Sequence, residues 1–171
     1  MLLFFVHICL LVMHISKPKL LDLDQIRKIL LQWTEKIEVE KYVERIGKEV
    51  QGETEFNMHF WVAKEEDYVL GVVGLSDPLP KVIPLAKTQN PGEVKILYVD
   101  TAAQGRGVGK SLVEYVEKEA ENVGYSELLV RSANRYKDTA YGFYEKMGYE
   151  KVGLVEGGDE LKMMQVFGKV L

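Results

Sequence analysis

The sequence has few of the residues that cross-link small proteins or bind metal ions. Its 171 residues include one cysteine, five prolines and three histidines. A single cysteine excludes a disulfide scaffold and is typical of a reducing compartment, so we expect a cytoplasmic location. Cys9 and His7 lie in an apolar run and His59 stands alone, so no group of these residues has the spacing of metal ligands. We therefore expect no bound metal.

Positive charge is also in short supply. The chain has 22 lysine and arginine residues against 26 aspartate and glutamate residues, for a net charge of -4. This balance disfavours a protein built to bind nucleic acid. Intrinsic disorder is excluded because 47% of the residues are apolar. A chain of 171 residues is long enough to form one globular domain with a hydrophobic core.

No apolar run is long enough to span a membrane. Residues 1–15 are nearly all apolar, but a membrane-spanning helix needs about 20 such residues. The run also lacks a basic start and a small-residue cleavage site, so it is a poor signal peptide. Two interpretations stay open. Residues 1–12 precede a true start at Met13, which leaves a single domain over residues 13–171, or the run is a buried element or an apolar surface covered by a second copy in a homodimer. Both disfavour a membrane role.

The rest of the chain alternates between helix and strand patterns. Apolar residues at helical spacing predict helices over residues 23–36, 39–50, 108–123 and 138–147. Strands are predicted over residues 12–17, 56–63, 68–75, 93–100, 127–131, 149–155 and 160–170, with a turn at Gly157 and Gly158 before the last. Residues 76–92 form a long loop. The pattern predicts an α/β (α+β) fold with a mixed, partly antiparallel central sheet flanked by helices.

The segment after the strand at residues 93–100 carries the strongest functional signal. Three alternating glycines and two cations lie there, directly before a helix: Gly105, Arg106, Gly107, Gly109 and Lys110. The unpaired N–H groups of a helix start favour a phosphate group. A nucleotide-binding P-loop would need a glycine where Gln104 stands, and a dinucleotide-binding loop would need its third glycine at position 110. Both interpretations fail on spacing, whereas a simple chain reversal stays open.

The spacing Gln104-x-x-Gly107-x-Gly109 fits another signature, Q/R-x-x-G-x-G/A. On this motif, within LYVDTAAQGRGVGKSLVEYVEKEA, and on the later block TAYGFYEKMGYEKVG, the chain resembles the GNAT N-acetyltransferase superfamily from residue 13 to residue 171. The resemblance implies an acyltransferase with acetyl-CoA as co-substrate and no metal. It implies transfer of the acetyl group to a primary amine by direct attack in a ternary complex. The acceptor stays open between a protein N-terminus, a lysine and a small amine.

The resemblance also implies which residues contact the coenzyme. The pyrophosphate would lie on the loop, and backbone groups of two β-strand residues would meet the pantetheine arm and the acetyl carbonyl. The implied set is Leu97, Val99, Gln104, Gly105, Arg106, Gly107, Val108, Gly109, Lys110 and Asn134. The family spacing would put the asparagine at position 137, where Lys137 stands. Either Asn134 or Lys137 is therefore left as a coenzyme contact.

Two residues are candidates for proton transfer. At pH 7 only about 1 in 2,500 lysine-like amines is neutral, so a positioned carboxylate can assist by taking the amine proton. The FYEKMGY block resembles the family stretch in which a tyrosine faces the coenzyme sulfur, which implies that Tyr144 protonates the leaving thiolate. The other aromatic residues nearby are expected in the core: Tyr141, Phe143 and Tyr149.

Glu93 is the candidate base. Strand alternation predicts that it shares a face with Leu97 and Val99, although an ordinary solvated carboxylate is an open alternative. Glu53 and Glu55 are weaker candidates for the same role. A catalytically silent acyl-CoA-binding or sensor domain on the same fold is the alternative function.

Overall fold

The computed structural model describes residues 12–157 and 163–171, which form a seven-stranded sheet with helices on both faces. The elements are β1 (His14–Ser16), α1 (Leu23–Leu31), α2 (Lys36–Val50), β2 (His59–Glu65), β3 (Tyr68–Ser76), β4 (Pro91–Val99), α3 (Val108–Val123), β5 (Glu127–Ala133), α4 (Gly142–Lys146), β6 (Glu150–Val155) and β7 (Met164–Val170). The strand order is β1-β2-β3-β4-β5-β7-β6. The predicted mixed, partly antiparallel sheet is confirmed.

Each face of the sheet is covered by its own helices. The helices α1 and α2 cover one face through their apolar stripes, which include Ile26, Leu30, Val43 and Ile46. The helix α3 covers the opposite face with Val108, Leu112, Val113, Val116 and Ala120. These side chains repeat at three- and four-residue intervals, as an amphipathic helix on a sheet requires.

One neighbouring pair of strands is parallel, and it separates part of the way along. β4 pairs with β5 in parallel, from Pro91 opposite Glu127 to Val94 opposite Val130. Beyond that point the residues 95–99 of β4 have no partner in β5, although β4 stays paired with β3 up to Val99. The carboxyl half of the two strands therefore opens into a cleft, and residues 100–107 lead from the end of β4 to the start of α3.

A bulge in β4 changes which side chains face each helix layer. Val73 pairs with Leu97, but Leu75 pairs with Val94, so β4 has one more residue than β3 in this interval. An extra residue interrupts strict alternation. Val94 and Leu97 contact the core beneath α3, and Glu93 therefore points to the α1 and α2 face. The prediction that Glu93 shares a face with Leu97 and Val99 is wrong for this reason.

Two helix predictions also differ from the structure. The first helix ends at Leu31 rather than at residue 36, so Trp33 lies in the connection to α2 instead of inside a helix. The helix predicted over residues 138–147 consists of a π-helix, Lys137–Tyr141, followed by α4. The wide π-turn adds a residue per turn, and such turns often occur at functional sites.

Parts of two predictions lie outside the described residues. These parts are residues 1–11 of the apolar run, and Gly158 with the start of the strand predicted from residue 160. Within the described ranges, no helix is both long and apolar enough to cross a membrane.

Candidate active site

A row of unpartnered backbone amides lies at the mouth of the cleft. It belongs to residues 104–110, called the glycine loop below, which lead into the first turn of α3. The Gln104 amide donates to the Thr101 carbonyl over 3.4 Å, but within the described chain the amides from Gly105 to Lys110 donate to no protein acceptor. The next amide with a partner is that of Ser111, which donates to the Gly107 carbonyl over 3.0 Å. Consecutive free N–H groups at the positive end of a helix dipole form a site for an anion such as a pyrophosphate.

Two glycines give the loop its shape. Gly105 has a φ of 74° and Gly107 a φ of 79°, both in the left-handed region that other residues seldom adopt. Gly107 caps α3 without a side-chain hydrogen bond, and a Cβ added there would meet no protein atom within 4 Å. The amides are therefore open to a ligand.

The charges around the glycine loop are on the surface. Arg106 forms an ion pair with Glu65, and Lys110 lies 3.7 Å from Glu114 on the next turn of α3. Both cations are largely exposed. Because exposed ion pairs contribute little free energy, an anionic ligand can compete with the two carboxylates for these cations.

The other loop residues are placed as follows. The Val108 side chain is buried beneath α3, so only its amide can meet a ligand. A Cβ at Gly109 would lie 3.6 Å from the Phe143 ring and from Val99. The loop thus packs between β4 and the segment that carries Tyr144. Gln104 is exposed at its start.

Tyr144 is buried where α4 meets the core beneath α3. Only 6% of its surface is exposed, and its ring packs against Phe143, Tyr149 and Phe167 at centroid distances of 5.3, 5.8 and 5.4 Å. Its hydroxyl makes no hydrogen bond to the residues that the structure describes. Burial raises the pKa of Tyr144 well above its ordinary value. The phenol is therefore a neutral hydrogen-bond donor at physiological pH. The core position predicted for Tyr149 is confirmed, whereas Tyr141 and Phe143 are partly buried and pack against the core.

Glu93 is fully buried and held by three donors. Its Oε1 accepts from Arg131 Nε over 2.6 Å, and its Oε2 accepts from Lys95 Nζ over 2.6 Å and from the Leu79 amide over 2.8 Å. Burial alone would raise the pKa of Glu93, but the charges of Arg131 and Lys95 and their hydrogen bonds hold it below its ordinary value. We call Glu93, Lys95 and Arg131 the charged cluster.

The connection between α1 and α2 crosses the end of the cleft. Trp33 Nε1 donates to the Val99 carbonyl over 2.8 Å, and the Thr101 amide donates to Gln32 Oε1 over 2.9 Å. On the other side of the cleft, the Tyr136 hydroxyl donates to the Trp33 carbonyl over 2.5 Å. We call Gln32 and Trp33 the strap. The strap joins β4 to the turn after β5. It also donates a hydrogen bond to the carbonyl of Val99, which is one of the residues predicted to contact the coenzyme.

The remaining candidates lie on the surface. Asn134 is exposed at the start of the turn after β5, and Lys137 is exposed at the start of the π-helix. Glu53 and Glu55 are exposed in the connection between α2 and β2, where Glu55 lies 3.6 Å from Lys48. Among residues 12–157 and 163–171, no three histidine, cysteine, aspartate or glutamate side chains come together in a way that could hold a metal.

Sequence reasoning missed three residues that line this site. Lys95 and Arg131 are charged residues inside otherwise apolar strands, and that contrast was the signal that could have identified them. Trp33 was assigned to a helix, so no sequence pattern placed it beside β4.

Comparison with known proteins identifies the fold and the family. The model of the acetyltransferase (GNAT) domain matches residues 57–151, which is more than half of the chain. Among curated proteins, the chain is 35% identical over 94 residues to human N-acetyltransferase 8B. That alignment covers 55% of this chain and 39% of the human protein.

Solved structures of other acetyltransferases have the same fold. A GCN5-related N-acetyltransferase from Kribbella flavida superposes with a TM-score of 0.69 at 15% identity, covering 93% of this chain and 98% of that one. The PaiA N-acetyltransferase from Thermoplasma acidophilum, solved in complex with coenzyme A, gives 0.66 at 15% identity and covers 94% of this chain and 99% of that one. The glycine loop, the parting of β4 from β5 and the matching family model lead to one conclusion: the chain belongs to the GNAT acetyltransferase domain family.

Proposed function

We propose that the protein is an acetyl-CoA-dependent N-acetyltransferase. The observation that carries this proposal is the row of free amides from Gly105 to Lys110 at the mouth of the cleft between β4 and β5. If the pyrophosphate of the coenzyme binds to these amides, the cleft stays free for its extended pantetheine arm. Solved relatives in complex with coenzyme A support the choice of ligand.

Several groups around the cleft support coenzyme A as the ligand. The glycine loop offers free N–H groups for the pyrophosphate, and Arg106 and Lys110 are exposed beside it. The half of β4 that β5 leaves unpaired includes Leu97 and Val99 and offers backbone groups to the pantetheine arm, except the Val99 carbonyl, which accepts from Trp33. Asn134 or Lys137 would contact the coenzyme from the far side of the cleft. The coenzyme supplies an activated acetyl thioester.

In the reaction, the acceptor amine loses one proton and the coenzyme sulfur gains one. A bond forms between the acceptor nitrogen and the acetyl carbon, the carbon–sulfur bond breaks, and the sulfur takes a proton. Tyr144 is our proposed donor because its burial keeps the phenol protonated and its hydroxyl has no partner in the described chain. The supporting ring contacts hold the side chain in one place.

The environment of Glu93 argues for an indirect role. A carboxylate bound by two cations, with a lowered pKa, is a weak base. We propose that Glu93 positions Lys95 and Arg131, and that the amine proton leaves to water. The role of Glu93 as the base stays a prediction from the sequence, and the Glu93→Gln variant tests it.

Two measurements test the proposed function. Coenzyme A, but not ATP, is expected to raise the melting temperature, since a ligand at 100 times its Kd stabilises the native state by about 2.7 kcal/mol. Acetyl-CoA turnover against a panel of amines is then expected to release free thiol. Stabilisation by ATP alone would contradict the proposal. Stabilisation by coenzyme A without turnover on any amine would favour the silent acyl-CoA-binding alternative.

A further inference from the structure

The charged cluster has more positive than negative charge. Glu93 is neutralised by one cation, and the second cation is left in excess. Arg45 of α2 adds another positive charge close enough to affect Lys95. Burial lowers the pKa of Lys95, the charges of Arg131 and Arg45 act in the same direction, and Glu93 opposes them. Together these four side chains make a local charge of about +2.

Arg131 has hydrogen-bonding capacity to spare. Its Nε donates to Glu93, and its Nη1 makes only a long contact of 3.9 Å with Met164 Sδ. Its Nη2 has no acceptor among the described residues. The side chain is 18% exposed, whereas Glu93 is fully buried and Lys95 is 6% exposed. A guanidinium held at its Nε by a buried carboxylate presents its other nitrogens in a fixed direction.

The cluster lies on the side of the sheet from which an acceptor would approach. The glycine loop and Tyr144 belong to the α3 side. The charged cluster belongs to the α1 and α2 side, because the bulge in β4 turns Glu93 and Lys95 away from α3. An acceptor that meets the acetyl group in the cleft must come from the face that the coenzyme leaves free.

The position along the strands brings the cluster close to the reaction. Lys95 and Arg131 are the first residues beyond the last paired positions of β4 and β5. Lys95 precedes Leu97, whose backbone groups we propose to meet the pantetheine arm, by two residues, or about 7 Å of strand. An anionic group on an acceptor would thus reach Arg131 while its amine is in the cleft.

Aromatic hydroxyls border the same space. Tyr98 of β4 stacks on Trp33 of the strap with a centroid distance of 6.4 Å. The hydroxyls of Tyr136 and Tyr42 lie close enough to Tyr98 to contribute, after burial, to raising its pKa. Neutral phenols next to cations provide further donors for a carboxylate.

We propose that Arg131, supported by Glu93 and Lys95, binds a carboxylate of the acceptor, and that the acceptors are small amines that carry a carboxylate, such as free amino acids. This inference rests on the proposed function. Polyamines and other polycations are disfavoured because the cluster repels them.

A comparison on the unmodified protein is the first test. Glycine, leucine, phenylalanine and glutamate are each paired with the corresponding α-amide, and spermidine represents the polycations. The amides keep the amine and the side chain but lack the α-carboxylate. We expect kcat/KM for at least one acid to exceed that for its amide by about 10- to 100-fold, as for a charged hydrogen bond. The amine of the amide is less basic than that of the acid, so a larger fraction of it is neutral and able to attack. Intrinsic reactivity therefore favours the amide, and a preference for the acid has to come from binding.

A pair of matched substitutions then assigns the effect. Arg131→Gln is expected to reduce the acid-to-amide ratio of kcat/KM towards one, because the acid loses more than the amide, while the affinity for coenzyme A stays nearly constant. Arg27→Gln is the control, since Arg27 lies on α1 in exposed ion pairs with Asp24 and Glu40. If Arg131→Gln fails to fold, Arg131→Lys replaces it, because lysine keeps the positive charge. Lysine lacks the planar guanidinium, so the acid-to-amide ratio of this variant should be intermediate. Melting curves check each variant.

The outcomes separate the two proposals. Equal or better turnover of amides or spermidine overturns the carboxylate assignment but leaves the acetyltransferase intact. An acid preference that Arg131→Gln and Arg131→Lys leave unchanged overturns the role of Arg131. Absence of turnover with every amine overturns the proposed function. Calorimetric titration of the coenzyme A-saturated protein with the same acids and amides then decides the inference: preferential binding of acids supports it, and no preference overturns it.

Discussion

The two sides of the cleft are built in different ways. On the α3 side, the glycine loop is one contiguous stretch, and its binding groups are backbone amides. On the α1 and α2 side, the charged cluster combines β4 and β5, and the strap comes from a third segment. Its binding groups are side chains. A backbone site depends on local conformation alone, whereas a side-chain site depends on where distant segments meet.

This difference explains how the two sides can serve different purposes. Backbone amides cannot be exchanged by substitution, so a loop of this kind suits a ligand that all members of a family share. Side chains on opposed strands can be replaced singly, which makes them suited to selecting an acceptor. The comparison predicts that damage to the two sides produces separable defects.

The largest effect is expected from Gly107→Val. The substitution forces a β-branched residue into a φ of 79° and moves the amides of the loop. Coenzyme A affinity should fall by at least about 100-fold, which corresponds to the loss of two charge-assisted hydrogen bonds. Isothermal titration measures this. Gly124→Val is the control, because Gly124 has a φ of 95° at the other end of α3 and the same open surroundings. Equal losses in both variants would attribute the effect to strain alone.

Glu93→Gln tests whether the cluster is mainly structural. The nearly buried Lys95 and the partly exposed Arg131 would lose their carboxylate, at a cost of about 3 kcal/mol in unfolding free energy. Glu127→Gln is the comparison, since Glu127 is equally buried but accepts only from the amides of Lys87 and Thr88. It should cost less. Chemical denaturation measures both. If Glu93→Gln instead keeps full stability, loses kcat and loses the acidic limb of the pH–rate profile, Glu93 acts as the base.

The contribution of Glu93 to stability should depend on pH. The pKa of Glu93 is lower in the folded state than its ordinary value of 4.5. Its contribution to stability is therefore complete above the unfolded value and is lost as the pH falls through the lower folded value. The difference in unfolding free energy between the unmodified protein and Glu93→Gln should be constant near neutrality and should shrink in strong acid. A difference that grows on acidification would contradict this assignment.

Tyr144→Phe should produce a purely kinetic defect. The ring still packs, so coenzyme A affinity should stay nearly constant while kcat falls. General acids contribute about 10²–10⁴-fold, and we expect the low end because a thiol with a pKa near 8.5 leaves readily. Single-turnover assays isolate the chemical step. Tyr149→Phe, in the same aromatic cluster, is the control. Full kcat in the Tyr144 variant would assign this residue to packing.

The smallest effect is expected from Trp33→Phe. It removes the hydrogen bond to the Val99 carbonyl but keeps an aromatic ring on Tyr98. One neutral hydrogen bond contributes about 0.5–1.5 kcal/mol, so the acceptor KM should rise by a few-fold with coenzyme affinity unchanged. Trp61→Phe, a buried substitution in the core beneath α3, should lower stability without this change in KM. A weaker coenzyme affinity in Trp33→Phe would place the strap on the coenzyme side.

The sequence by itself determined the side of the cleft that carries the glycine loop. The order of helices and strands and the glycine loop follow from local periodicity and from residues that are adjacent in the chain. The positive φ of Gly105 and Gly107 is a property of glycine in a loop before a helix, and it can be anticipated without knowing what packs nearby.

Only the tertiary structure decided the side of the cleft that carries the charged cluster and the strap. The bulge in β4 reversed the predicted face of Glu93, since a one-residue difference between paired strands leaves no mark in one strand's sequence. Because α1 ends at Leu31, earlier than predicted, Trp33 lies outside the helix and donates a hydrogen bond to Val99. The meeting of Glu93 with Arg131, 38 residues apart, depends on the parallel pairing of β4 with β5. Contacts between distant segments are set by packing, and a single sequence carries no local signal for them.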